Sequence, residues 1–178
     1  NNYKVDYDSL DRMVDYVIAG GVDYIVALGS TAETATLSLK ERDEVLRFII
    51  NRTDGRVSIV AGMGSNNTAD LVEQLHSFNL DGVVAILSVV PYYNKPSQEG
   101  IYRHFMAVAD ASPVPVIIYN VPGRTGLNMT AATTLRLAHA TPKIVAIKEA
   151  CGNIEQMQAI LDGRPEDFLV LSGDDGIT

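Results

Sequence analysis

Six short apolar segments alternate with six helical stretches along the chain, and that alternation limits the fold more than any other feature. The apolar segments are Tyr24–Leu28, Val57–Ala61, Gly82–Leu87, Val114–Tyr119, Ile144–Glu149 and Phe168–Leu171. They are rich in valine and isoleucine and apolar on both faces, the pattern of strands in a parallel sheet covered by helices. Between them, apolar residues recur at helical spacing. Leu10, Met13, Val14, Val17 and Ile18 form the first stripe, with Asp8 as the expected N-cap and Gly20-Gly21 as the stop. Ser38 and Glu41 form a capping box ahead of Val45, Leu46, Ile49 and Ile50. Asn67-Thr68, Pro96-Ser97, Thr130 and Asn153 open the remaining helices. Strict strand–helix alternation means parallel strands joined by right-handed crossovers.

Two architectures have this pattern, a doubly wound open sheet and a (β/α)8 TIM barrel. The open sheet predicts a glycine-rich phosphate turn after its first strand. The nearest candidate, Ala61-Gly62-Met63-Gly64-Ser65-Asn66, lacks the third glycine and the acidic partner of a dinucleotide fingerprint. A complete barrel takes about 250 residues, and this sequence has 178. Residues 1–178 are therefore expected to form a partial TIM barrel of about six βα units, without the first strand, the last strand and the C-terminal helical region.

Composition removes several classes of function. A net charge of −8 argues against a nucleic-acid partner. No apolar run is long enough to span a bilayer. A single cysteine, Cys151, rules out an internal disulfide and fits a reducing, cytoplasmic compartment. His76, His104 and His139 fall in separate helical stretches and carry no zinc spacing, so they read as surface or helix-packing residues, and no metal site is expected.

Catalytic groups of β/α barrels sit at the C-terminal ends of strands. In this sequence those ends carry Gly29-Ser30-Thr31-Ala32-Glu33, Pro91-Tyr92-Tyr93-Asn94, Tyr119-Asn120-Val121-Pro122-Gly123-Arg124-Thr125-Gly126, Lys148-Glu149 and Ser172-Gly173-Asp174-Asp175. No Ser–His–Asp or Cys–His set is among them. A lysine, three tyrosines, an arginine and small hydroxyl residues suit imine chemistry better than metal binding. Lys148 ends a buried apolar strand, where burial favours the neutral amine that attacks a carbonyl. Tyrosine hydroxyls relay the protons needed to expel water from the carbinolamine. Ser30 or Thr31 would complete that relay with Tyr119. Arg124 offers a fork for a carboxylate. Taken singly, Lys148 could also be paired with Glu149, and Tyr119 could be a core tyrosine.

These motifs resemble the dihydrodipicolinate synthase / N-acetylneuraminate lyase family of class I aldolase-like barrels. The likeness rests on Gly29–Glu33, Pro91–Asn94, Tyr119–Gly126, Ile147–Ala150 and Ser172–Asp175. It implies a pyruvate imine on Lys148, with no other cofactor, and Tyr119 as the adjacent acid/base. It also implies that Ser30 links Tyr119 to Tyr93, and that Tyr93 reaches a neighbouring subunit. Thr31 would hold the pyruvate carboxylate, Gly173 would line the substrate site, and Arg124 would receive the carboxylate of aspartate semialdehyde. The implied assembly is a homo-oligomer, a dimer of dimers.

The implied reaction condenses pyruvate with L-aspartate-4-semialdehyde on the route to diaminopimelate and lysine. Two other readings stay open: a lyase for sialic or 2-keto-3-deoxy acids, and a non-catalytic keto-acid-binding barrel fragment. Ala32 stands where the family has glycine, a constraint if that turn needs positive φ. Asn66, Asp70 and Tyr92 match the family's lysine site, whereas Leu39 and Arg42 stand where lysine-sensitive members carry histidine. The resemblance leaves lysine inhibition open.

Overall fold

Strand and helix alternate in the computed structural model, which describes residues 4–177. The strands are β1 (Tyr24–Ala27), β2 (Ser58–Gly62), β3 (Val83–Val89), β4 (Val116–Asn120), β5 (Ile144–Glu149) and β6 (Leu169–Ser172). The helices are α1 (Tyr7–Ala19), α2 (Leu39–Thr53), α3 (Thr68–Ser77), α4 (Gln98–Ala111), α5 (Pro122–Thr125), α6 (Ala131–Ala140) and α7 (Ile154–Gly163). The six strands form one sheet in chain order. β1 pairs with β2, β3 with β4, β4 with β5 and β5 with β6, all in parallel.

Local capping chemistry sets most helix starts. Ser38 Oγ accepts from the Glu41 amide while the Glu41 carboxylate accepts from the Ser38 amide, the expected capping box. Asn67, Ser97, Thr130 and Asn153 each cap a helix with a side-chain oxygen. The first cap differs from expectation. Asp6, not Asp8, accepts from the Ser9 amide, and Asp8 lies inside the first turn of α1. Both aspartates favour a helix start, but Asp6 has the required non-helical backbone, with ψ at 87°. Pro115 lies outside β4. It has no N–H to donate, yet its carbonyl accepts from the Ile86 amide at 2.9 Å. The one helix beyond the six expected, α5, is a single turn with proline at its start.

The chain divides into two compact units, Asn1–Gly62 with Asn79–Ala85, and Met63–Phe78 with Ile86–Thr178. In the first unit, α1 packs on α2, and Val14, Val45, Leu46 and Ile49 are buried. Arg52 of α2 and Arg56, just beyond its end, reach Asp11 and Asp15 of α1, but these pairs are partly solvent-exposed and contribute modestly. At the end of β1, Leu28 takes a left-handed backbone (φ 58°) and is buried. Its carbonyl oxygen lies over Gly62, where a Cβ would sit 2.1 Å away.

In the second unit, all five residues of β4 are buried. Ile101, Phe105 and Val108 of α4, Leu137 of α6 and Ile160 of α7 are buried as well. The pairing of β4 with β5 contains one irregularity. Val116 faces Ile144 and Ile117 faces Ala146, so Val145 is an extra residue absorbed by a bulge. Without that bulge, Lys148 would pair with Asn120 and project on the opposite face from Tyr119. With it, Tyr119 pairs with Lys148 and Asn120 with Glu149.

His104 of α4 is 3 % exposed. Its Nδ1 lies 2.8 Å from the Thr68 hydroxyl, while its Nε2 has no partner. Burial lowers its pKa to about 4. Between pH 6.5 and 4 the unfolded chain therefore binds a proton that the folded chain refuses, so stability falls as pH drops through that window. The carboxylates of Asp6, Glu41 and Glu99 are held below their ordinary range by hydrogen bonds, so their stabilising contributions are lost at lower pH. Replacing His104 with asparagine, which can still bond Thr68, is expected to remove roughly 2–3 kcal/mol of this acid sensitivity. Urea unfolding at pH 7 and pH 4.5 measures it, and an unchanged difference between the two pH values would contradict the assignment.

Candidate active site

Two strand ends in the second unit place their side chains together. Lys148 is half-buried at the penultimate position of β5. Its Nζ lies 4.7 Å from the ring centroid of its register partner Tyr119, within cation–π reach. Tyr119 is 8 % exposed. Lys148 forms no ion pair among the described residues, so the alternative of a Lys148–Glu149 bridge is not what the structure contains. Glu149 instead turns to the other face and is completely buried.

Gly173, just beyond β6, adjoins the same lysine. A Cβ there would lie 3.3 Å from Lys148 Cε and 2.7 Å from Ala150 Cβ. Its amide donates to the Glu149 carbonyl at 2.8 Å. A larger residue would crowd the lysine stem. Arg124 sits on the single turn of α5 that follows β4, exposed and without an ion pair among the described residues. Its backbone is fixed, with its amide donating to the Val121 carbonyl at 2.9 Å. A guanidinium so placed keeps its full fork for a ligand carboxylate.

Tyr93 is 86 % exposed in the segment after β3 and has a left-handed backbone (φ 69°). Lys95, two residues on, is left-handed as well. Such φ values are costly for side-chain-bearing residues and persist where the surroundings impose them. Asn94 contributes by donating to the Asn66 carbonyl at 3.1 Å.

Ser30 and Thr31 belong to the first unit. They form a 3₁₀ turn with Ala32 directly after β1, and both are exposed. Ala32 is not strained. The positive φ of this turn falls on Glu33, at 52°, so alanine in place of glycine is accommodated. The Thr34 hydroxyl ties the turn together by donating to the Gly29 carbonyl at 3.1 Å.

Sequence reasoning missed the polar residues behind the strand ends. Asn120 and Glu149 are both fully buried, and Asn128 and Gln156 bond to them. The signal was present: each of these two strands ends in a polar residue on the face opposite the Tyr119–Lys148 pair. Cys151 donates its amide to Glu149, and burial raises its thiol pKa, as suits an unreactive cysteine. Among the described residues, no group of three His, Cys, Asp or Glu side chains could hold a metal ion. No helix of the described residues is long and apolar enough to cross a membrane.

Comparison with known proteins places this geometry in a family. The model of the dihydrodipicolinate synthetase family matches residues 1–178. The chain belongs to the dihydrodipicolinate synthetase family. Among its relatives, the 4-hydroxy-tetrahydrodipicolinate synthase of Phocaeicola vulgatus is 56% identical over 175 residues, covering 98% of this chain and 59% of the relative. The solved 4-hydroxy-tetrahydrodipicolinate synthase of Methylacidiphilum fumariolicum superposes with a TM-score of 0.95 at 38% identity, covering 100% of this chain and 59% of that one. A chloride-inhibited dihydrodipicolinate synthase from Acinetobacter baumannii, solved with pyruvate, gives 0.93 at 42% identity, covering 98% and 60%. The sequence thus spans about three fifths of the length of these family members. The fold class is that of the family's (β/α)8 barrels, with six strands among the described residues.

Proposed function

We propose that the gene product carrying this sequence is a Schiff-base-forming synthase. It condenses pyruvate with L-aspartate-4-semialdehyde to 4-hydroxy-tetrahydrodipicolinate, for diaminopimelate and lysine synthesis. The observation that carries this reading is the register pairing of Tyr119 with Lys148, which sets the amine 4.7 Å from the tyrosine ring. Relatives named for this activity support the substrate pair, as does the pyruvate complex of the Acinetobacter protein.

In this reading the Lys148 amine attacks the keto carbon of pyruvate to give a carbinolamine. Tyr119 carries the proton that lets water leave, so the imine forms with no other cofactor. Loss of a methyl proton gives the enamine, whose carbon attacks the aldehyde; the amino group of the semialdehyde part then adds to the imine carbon, closes the ring and expels Lys148 as the free amine. Thr31 and Gly173 serve the pyruvate end, and Arg124 receives the carboxylate of the semialdehyde. Ser30 and Tyr93 complete the proton relay. Exposure of Tyr93 at the strand-end segment supports a role at a subunit boundary, in a homo-oligomer built as a dimer of dimers. A single, half-buried cysteine supports a cytoplasmic location.

Borohydride reduction in the presence of pyruvate tests the proposal. The expected result is one reduced pyruvate adduct, mapped to the peptide containing Lys148. Before reduction, the enzyme is expected to turn over aspartate semialdehyde in preference to sugar aldehydes. No adduct, or an adduct on another lysine, would overturn the assignment.

A further inference from the structure

Behind the Lys148–Tyr119 pair lies the buried carboxylate of Glu149, which forms no ion pair among the described residues. Glu149 Oε1 accepts from Asn120 Nδ2 and the Cys151 amide, each at 2.9 Å. Its Oε2 accepts from Asn120 Nδ2 at 3.1 Å and from Gln156 Nε2 at 3.0 Å. Every neighbour is a donor, so the cage fits an acceptor-only carboxylate. The amides are themselves fixed. Asn120 Oδ1 accepts from the Met129 amide at 3.0 Å, and Asn120 Nδ2 reaches Asn128 Oδ1 at 2.8 Å. Gln156 Nε2 also donates to the Met129 carbonyl at 3.0 Å, and its Oε1 accepts from Asn128 Nδ2 at 2.9 Å. One cluster therefore joins the ends of β4 and β5, the segment leading into α6, and the first turn of α7.

Side chains alternate along a strand, so residues adjacent to Tyr119 and Lys148 point to the opposite face. Asn120 and Glu149 are those residues, and they pair with each other as Tyr119 pairs with Lys148. The geometry points to a positioning role for Glu149: its amide cage clamps the two strand ends from behind and fixes the Lys148 amine against Tyr119. The inference rests on the imine reading above and extends it to residues that touch neither substrate nor reacting atoms. Burying a carboxylate on amide donors alone is expensive. What the cage gains is register and orientation, where a displacement of about 1 Å costs about a hundredfold in rate.

The test compares imine formation in the natural gene product and three variants. Glu149→Gln places donors against donors and is expected to slow borohydride-trappable imine formation about a hundredfold. Gln156→Met removes one of the four contacts and is expected to slow it about tenfold. In both, the pyruvate concentration giving half-maximal rate should stay within about twofold of the natural value, because Glu149 does not hold substrate. Pairing Glu149→Gln with Asn120→Asp exchanges donor and acceptor across the strands and is expected to recover at least tenfold. Should Glu149→Gln fail to fold, the Gln156→Met rate decides. A natural protein that forms no adduct sinks both readings. A natural protein that forms the adduct, with folded variants matching its rate, or with a loss that the exchanged pair does not recover, sinks this one alone.

Discussion

Lys148→Met in the natural gene product is expected to leave no pyruvate adduct after borohydride treatment, with the fold intact. Methionine keeps the apolar stem that runs past Gly173 and removes only the amine. Lys148 has no ion pair among the described residues, so its loss strands no buried counter-charge. A second substitution separates packing from chemistry. Tyr119→Phe retains the ring 4.7 Å from the amine and deletes the hydroxyl. Imine formation should then persist but slow by roughly 10²–10⁴, the usual scale for losing a positioned proton carrier. Quenched-flow trapping over seconds to hours reads both effects. A Tyr119→Phe rate equal to the natural one would show that the ring serves only as packing, and the proton relay would have to begin elsewhere.

Gly62→Ala is expected to cost about 4 kcal/mol or more, measured by urea unfolding, a loss in the exceptional range for a single methyl. The new Cβ would lie 2.1 Å from the Leu28 carbonyl oxygen, 2.6 Å from its carbon and 3.0 Å from the Gly29 nitrogen. All three are backbone atoms, so no side-chain rotation relieves the clash. The strand end of β1 would have to move, along with the Ser30–Ala32 turn that follows it. Gly123→Ala is the matched control, since nothing lies within 4 Å of its Cβ position. It should change stability by less than about 1 kcal/mol. Equal urea midpoints for the two variants would show that the Leu28 turn shifts freely.

The sequence exposed what is local. Ser38, Asn67, Ser97, Thr130 and Asn153 cap helices where they were expected, because a cap is a contract between residues two or three apart. The choice between Asp6 and Asp8 was not legible, since both residue types suit the site and only backbone angle separates them. The Val145 bulge was hidden because Ile144-Val145-Ala146-Ile147 is apolar on both faces and carries no alternation to betray a slip. Leucine gives no hint of a left-handed backbone, so the turn at Leu28 was invisible as well. Topology puts the strand ends that carry Lys148 and Tyr119 side by side, but the bulge that sets both side chains on one face was not legible. The Glu149 cage was not legible either. Its amides come from Asn120, Asn128 and Gln156, far apart in sequence and brought together only by packing.

The two faces of the β4–β5 pair differ in how much change they tolerate. Beyond the ends of β3 and β4 lie exposed segments: the one around Tyr93, and Arg124 on its one-turn helix. The rear is a closed set of interlocking amides in which each member answers to two others. In the proposed synthase, laboratory selection for new aldehyde acceptors would accumulate its substitutions in these exposed segments, while the rear would accept only compensated, paired replacements. The proposed catalyst, arranged in this way, can change its diet without rebuilding its jaw.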